Sequence, residues 1–135
     1  MPFKTIYLGF PESSLLGTEL KRNIRASGET SVVSDLKAAQ VILEVLSETK
    51  ERAVLSLNSQ GRERERTLYY KLRFRVKDAK EKELLAPTEI VLKRDMSINE
   101  AQVLAKEKEE ELLYRDMQSD LVQQILRRLT AMKPA

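Results

Sequence analysis

The sequence contains no cysteine, no histidine and no tryptophan. Without cysteine there is no disulfide and no thiol nucleophile, and without histidine no imidazole for proton transfer. Their joint absence also excludes Cys/His zinc sites. The four glycines stand singly at 9, 17, 28 and 61, so no glycine-rich loop is present to cradle a phosphate. Aromatic residues make up 5% of the chain, a poor supply of stacking platforms for single-stranded nucleic acid. No apolar run approaches the length of a bilayer-spanning helix. What is left is a 135-residue chain, 41% apolar and 33% charged, the composition of one folded domain covering residues 1–135. Its 24 basic and 21 acidic residues leave a net charge of +3, so any anion-binding role has to come from local clustering.

The most informative stretch runs from Arg62 to Lys77. From Leu68 on, apolar Leu68, Tyr70, Leu72, Phe74 and Val76 alternate with Tyr69, Lys71, Arg73, Arg75 and Lys77. A period of two is that of a β-strand with one buried and one open face, and a helix would smear these five apolar residues around its circumference. The strand therefore belongs to a sheet covered on one side only, and the open side carries a row of cations.

The other elements follow from local pattern. Phe3–Phe10 reads as a first strand ended by Gly9 and Pro11, and Leu15, Leu16, Leu20 and Ile24 recur at helical spacing between a serine N-cap and Gly28. A short strand is expected at Thr30–Ser34 and a single helical turn at Asp35–Gln40. Val41–Leu46 is apolar on both parities, the mark of a central strand, and continues to Leu57 with an irregularity expected near Thr49–Glu51. Asn58–Gly61 and Asp78–Lys82 are turns, and Pro87 assigns the strand Leu84–Asp95 to a sheet edge or makes it a strand start. From Asn99, with Ser97 or Asn99 as cap, a helix runs to about Met132 on an apolar stripe from Leu104 through Leu112, Leu113, Met117, Leu121 and Ile125 to Leu129. Such a helix is about 45 Å long, so its first turns are expected to overhang the sheet. The predicted fold is α+β, with two helices packed on one face of a four- to five-stranded, mostly antiparallel sheet.

No catalytic constellation is present, and the protein is not expected to be an enzyme or to hold a cofactor or metal. The Glu107–Glu111 carboxylates read as a solvated helix face. The basic row has a bland reading as an exposed strand face, where Lys and Arg guard against edge pairing. Its functional reading is anion binding: an amphiphile with phosphates for Arg and Lys and acyl chains for aliphatics, or nucleic acid.

The hairpin Ala53–Tyr70, the run Leu92-Lys93-Arg94-Asp95-Met96, then Leu104-Ala105-Lys106-Glu107, Leu113-Tyr114-Arg115-Asp116-Met117 and Ile125–Leu129 together resemble the lipopolysaccharide-assembly lipoprotein family LptE, also called RlpB. The resemblance covers nearly the whole chain. It implies an outer-membrane lipoprotein on the periplasmic side that plugs and helps assemble the LptD barrel as a 1:1 heteromer. It also implies binding of lipopolysaccharide on its way to the outer leaflet. The family's signal peptide and lipidated N-terminal cysteine are not in this sequence, and the abrupt start at Met1-Pro2-Phe3 is that expected of a mature domain. Carried over from the family, Lys106 in the Leu-Ala-Lys motif is expected to contact lipopolysaccharide, and Arg62 and Arg64 mark the neighbourhood of a hairpin-tip arginine. Arg66, Tyr69, Lys71, Arg73 and Arg75 are assigned, from the strand itself, to a basic face that meets lipid or barrel. On this reading nucleic acid is not a partner; the alternative is a cytoplasmic anion- or nucleic-acid-binding α+β module.

Overall fold

The computed structural model describes residues 1–99 and 103–132. Its elements are β1 (Thr5–Gly9), α1 (Leu15–Ser27), β2 (Ser31–Val32), a 3₁₀ turn (Leu36–Ala38), β3 (Val41–Leu57), β4 (Glu63–Asp78), β5 (Glu83–Ser97) and α2 (Val103–Ala131). The five strands form one sheet in the order β2-β1-β3-β4-β5. The expected antiparallel meander is there in β3, β4 and β5, but β1 runs parallel to both of its neighbours, so the sheet is mixed. The cause is α1, a crossover helix that carries the chain from β1 back to a parallel start.

Local chemistry explains the boundaries. Ser14 caps α1 through its Oγ, which accepts from the Gly17 amide at 3.0 Å, and Gly28 ends it in the left-handed region at φ 72°. Ser97 is the last residue of β5 rather than a helix cap, and the residues between Asn99 and Val103 lie outside those described. Pro87 sits on edge strand β5, where the register with β4 slips between Phe74 and Val76. An edge bulge is where a residue without an amide hydrogen costs least.

Both helices lie on one face of the sheet. Leu16, Leu20 and Ile24 of α1 and Met117, Leu121, Ile125 and Leu129 of α2 pack with Ile6, Leu43, Ile90 and the buried row of β4. Leu68, Tyr70, Leu72, Phe74 and Val76 are almost fully buried, as the period of two requires. Burial of each such side chain is worth about 1.5–3 kcal/mol. The apolar stripe of α2 divides, because Leu104 is 82% exposed and Leu112 is also exposed, while the core begins at Met117. The first turns therefore overhang the sheet.

In β3 the both-sided burial stops at Leu43, since Val45 is half-buried and Leu46 exposed. The irregularities fall between Val45 and Ser47 and between Val54 and Ser56, not at Thr49–Glu51. Leu46 is an extra residue opposite the Phe74–Arg73 step, and one inserted residue exchanges the faces of everything after it. Val41, Leu43 and Val45 face the helices before the bulge; Glu48, Lys50, Arg52 and Val54 do so after it, opposite Leu72, Tyr70, Leu68 and Arg66.

Candidate anion-binding corner

That exchange of faces builds the site. Past the bulge, charged residues of β3 are brought under the overhanging start of α2. Glu48 accepts a short hydrogen bond from the Tyr70 hydroxyl, and Lys50 Nζ lies 5.2 and 5.5 Å from the ring centroids of Tyr70 and Tyr114. Those two rings meet edge to face at 6.4 Å, and the Tyr114 hydroxyl donates to the Glu51 carbonyl at 3.0 Å. Burial is the first cause of the raised phenol pKa values of both tyrosines, with the Glu48 hydrogen bond adding to it at Tyr70.

Next along the hairpin comes Arg66, which corrects its assignment to the open basic face. It has the parity of Leu68 and faces the helices at 8% exposure. Its guanidinium donates from Nε to Glu63 at 3.1 Å and from Nη1 to Glu110 at 2.6 Å, with a further Nη2 bond to Glu63. The Glu63 hydrogen bond is the main cause of a raised Arg66 pKa, and the same bond holds the Glu63 carboxyl below its usual range. A buried guanidinium with two carboxylate partners is a clamp between hairpin and helix, not a surface waiting for a ligand. Glu110 is correspondingly drawn out of the solvated acidic block expected at Glu107–Glu111.

Beside the clamp is an open groove of about 400 Å³, lined by Arg52, Arg66 and Lys106, by the carboxylates Glu107, Glu110 and Glu111, and by Tyr114. Arg66 is committed to its carboxylates. Arg52, mostly exposed, reaches Glu110 only at 3.5 Å, and Lys106 is half-buried with no ion pair within 4 Å among the described residues. The groove therefore offers two cationic heads, Arg52 and Lys106, that an anion can reach. Arg52 escaped the sequence reading because its face depends on the Leu46 bulge.

Arg62 and Arg64 lie at the same end of the hairpin without lining this groove. Arg62 is exposed and follows a turn in which Asn58 Oδ1 accepts the amides of Gln60 and Arg62 at 2.9 and 3.0 Å. Gly61 holds φ 77° there, a conformation favouring glycine. Arg64 is the extra residue opposite the Ser56–Leu57 step, and its exposed guanidinium donates to Ser56 Oγ and Glu65 at 3.3 Å each.

The open face of the sheet is less cationic than the alternation predicts. Lys71 pairs with Glu51 at 3.1 Å, and Arg75 and Lys77 share Glu44 at 3.0 and 3.5 Å. Lys77 also pairs with Glu81 at 2.7 Å. Tyr69 is half-buried, 5.7 Å from Lys71 Nζ. Arg73 is exposed and without an ion pair among the described residues. The neighbouring strand neutralises most of the row, an effect that a strand read alone does not contain.

The structure is thus an α+β domain with one helical layer, an open sheet face and a charged groove where helix overhangs hairpin. The chain belongs to the LptE family, described as lipopolysaccharide-assembly, whose model matches residues 3–129. Among solved structures, the NMR structure of an uncharacterized lipoprotein B from Nitrosomonas europaea is 39% identical, with a TM-score of 0.84 over 97% of this chain and 84% of that one. The crystal structure of the rare lipoprotein B from Shewanella oneidensis is 26% identical, with a TM-score of 0.79 and 95% of each chain covered. A minor lipoprotein from Acinetobacter baumannii is also 26% identical, at a TM-score of 0.76 over 98% of this chain and 96% of that one. No curated protein matches the chain. Among the described residues no helix is long and apolar enough to cross a membrane, which says nothing of β-barrels.

Proposed function

We propose that this lipopolysaccharide-assembly protein is a non-catalytic subunit that sits 1:1 within an LptD-type barrel and binds lipopolysaccharide at the corner between α2 and the β3–β4 hairpin. It acts on the periplasmic side of the outer membrane, held there by an N-terminal lipid anchor. The observation that carries this reading is the pair of reachable cations, Lys106 and Arg52, at an open groove. The large aliphatics Leu104 and Val54, on the same two elements, are exposed. Cations for phosphates beside aliphatics for acyl chains are what an anionic amphiphile requires. Arg62 and Arg64 extend the positive charge toward the hairpin tip. The open face, with Tyr69, Lys71, Arg73 and Arg75 set among glutamates, suits the polar lumen of a barrel. Its internal ion pairing makes it a poor track for nucleic acid, whose binding draws on uncompensated cations.

The test is co-purification with the cognate barrel protein, comparing the wild type with Lys106→Asp and measuring bound lipopolysaccharide in both. The expected outcome is an intact complex in each, with the lipid reduced about tenfold or more in the variant, because a cation is replaced by an anion facing phosphate. Equal lipid in both discards the site, and failure to form a complex with folded barrel discards the plug.

A further inference from the structure

The sheet ends in an unusual way. β5 is 15 residues long and among the described residues is paired in the sheet only with β4, so its outer side presents backbone amides and carbonyls with no strand partner. Of the β5 carbonyls, that of Lys93 accepts from Arg94 Nη1 and that of Ala86 from Thr88 Oγ1, each at 2.8 Å. Pro87 and its bulge blunt only the first third of the strand, and Thr88–Ser97 is regular and free of proline. On the open face this segment carries Glu89, Val91, Lys93 and Asp95 at a spacing of two, all exposed. The other acidic residues noted on that face, Glu44 and Glu51, are consumed by cations of β4. Glu89 and Lys93 make no ion pair among the described residues, although Arg73 lies opposite Glu89 in the register.

Glu89 and Lys93 stand two positions either side of Val91, which is 46% exposed. An antiparallel copy of the same strand, related by a two-fold axis through Val91, places Glu89 of each copy opposite Lys93 of the other. It sets Val91 against Val91 on the open face, and on the helix face Ile90 against Leu92 and Thr88 against Arg94. Every one of these pairs, which together span Thr88–Arg94, is of like polarity or opposite charge, and the symmetry counts each hetero-pair twice. The ladder ends there, because Asp95 falls opposite Pro87. A register displaced by two residues in either sense loses both the Glu89–Lys93 pairs and the valine contact. Edge charges that protect a strand repel their own image; these attract theirs.

We propose that β5 is a self-recognition edge through which two copies of this chain join antiparallel, in the register centred on Val91, into a continuous ten-stranded sheet. The two helical layers lie on the same side of that sheet, because the axis is normal to it. This goes beyond the barrel reading and does not depend on it, since it concerns the chain free of other partners.

Sedimentation velocity of the full chain from micromolar to millimolar concentration tests this, with circular dichroism confirming the fold of each variant. The expected result is a concentration-dependent dimer. Glu89→Lys and Lys93→Glu each weaken it about tenfold or more by setting like charges opposite in both symmetric positions, and the double exchange restores it to within about threefold of wild type. A monomer throughout overturns the proposal. So does a dimer indifferent to the single exchanges, or a double exchange no better than either single one.

Discussion

Arg66 and Tyr70 share a strand face and show two ways of burying a polar group. Arg66 is buried against two carboxylates, each less than a quarter exposed. Arg66→Ala leaves both of them facing each other's charge, and a loss of about 2–3 kcal/mol is expected in urea unfolding. That is below the cost of breaking a fully buried pair, because the carboxylates retain water contact. The pH dependence has a definite sign. Glu63 has a folded pKa below its usual 4.5, so its contribution is present above that value and is lost as pH falls through the lowered one. Wild type should therefore lose stability more steeply than Arg66→Ala in the acid range. Tyr70 is the opposite case. Its pKa is raised by burial and by the Glu48 bond, so its contribution is complete below the ordinary phenol pKa of about 10 and declines as pH rises beyond it. Tyr70→Phe should cost about 1–2 kcal/mol at neutral pH through the lost hydrogen bond. Thermal melts should also show it to be less sensitive than wild type above pH 10.

At the scale of elements, α1 sits close on the chain that precedes it. A Cβ at Gly17 would lie 2.6 Å from Cβ of Phe10, so here a glycine inside a helix is required by contact rather than by φ. Alanine gains about 1 kcal/mol in helix propensity but forces the Phe10 ring or the helix to move, at about 1–3 kcal/mol. Gly17→Ala should lower the melting temperature despite its better propensity. The long hairpin is governed by a different device, the single extra residue Leu46. Upstream of it β3 presents Val41, Leu43 and Val45 to the helices, and downstream Glu48, Lys50 and Arg52. The strand thus changes from a core element to the floor of a polar site without bending away from β4. That is why the overhang of α2 meets charge rather than more core, and why Leu104 and Leu112 find no apolar partner below them.

For the whole molecule, the proposals assign three surfaces to three occupants: the corner to an anionic amphiphile, the open sheet face to a barrel lumen, and the β5 edge to a second copy. The corner is separable from the β5 edge by experiment, since Lys106 lies on α2 and Arg52 on β3, while Glu89 and Lys93 share the open face with Arg73 and Tyr69. Lys106→Asp should alter bound lipopolysaccharide without changing self-association, and Glu89→Lys should weaken self-association without changing the lipid content of a barrel complex. In the proposed plug arrangement the barrel encloses the β5 edge, so the two proposed assemblies compete, and adding folded barrel protein should dissociate the dimer by mass action.

The sequence by itself determined the two-layer α+β architecture, the turns, the restriction of Pro87 to an edge strand or a strand start, the buried row of β4 and, through the order of its motifs, the family. These are properties of short-range pattern: a period of two or of 3.6, a cap, a turn glycine, a proline without an amide hydrogen. Tertiary structure decided which charges are available. The parallel placement of β1, the face of Arg52, the neutralising of Lys71, Arg75 and Lys77 by Glu51 and Glu44, and the recruitment of Glu110 by Arg66 all depend on strand registers or on the docking of α2 against the hairpin. One bulge residue is enough to reverse a face, and an ion pair exists only where two such registers coincide.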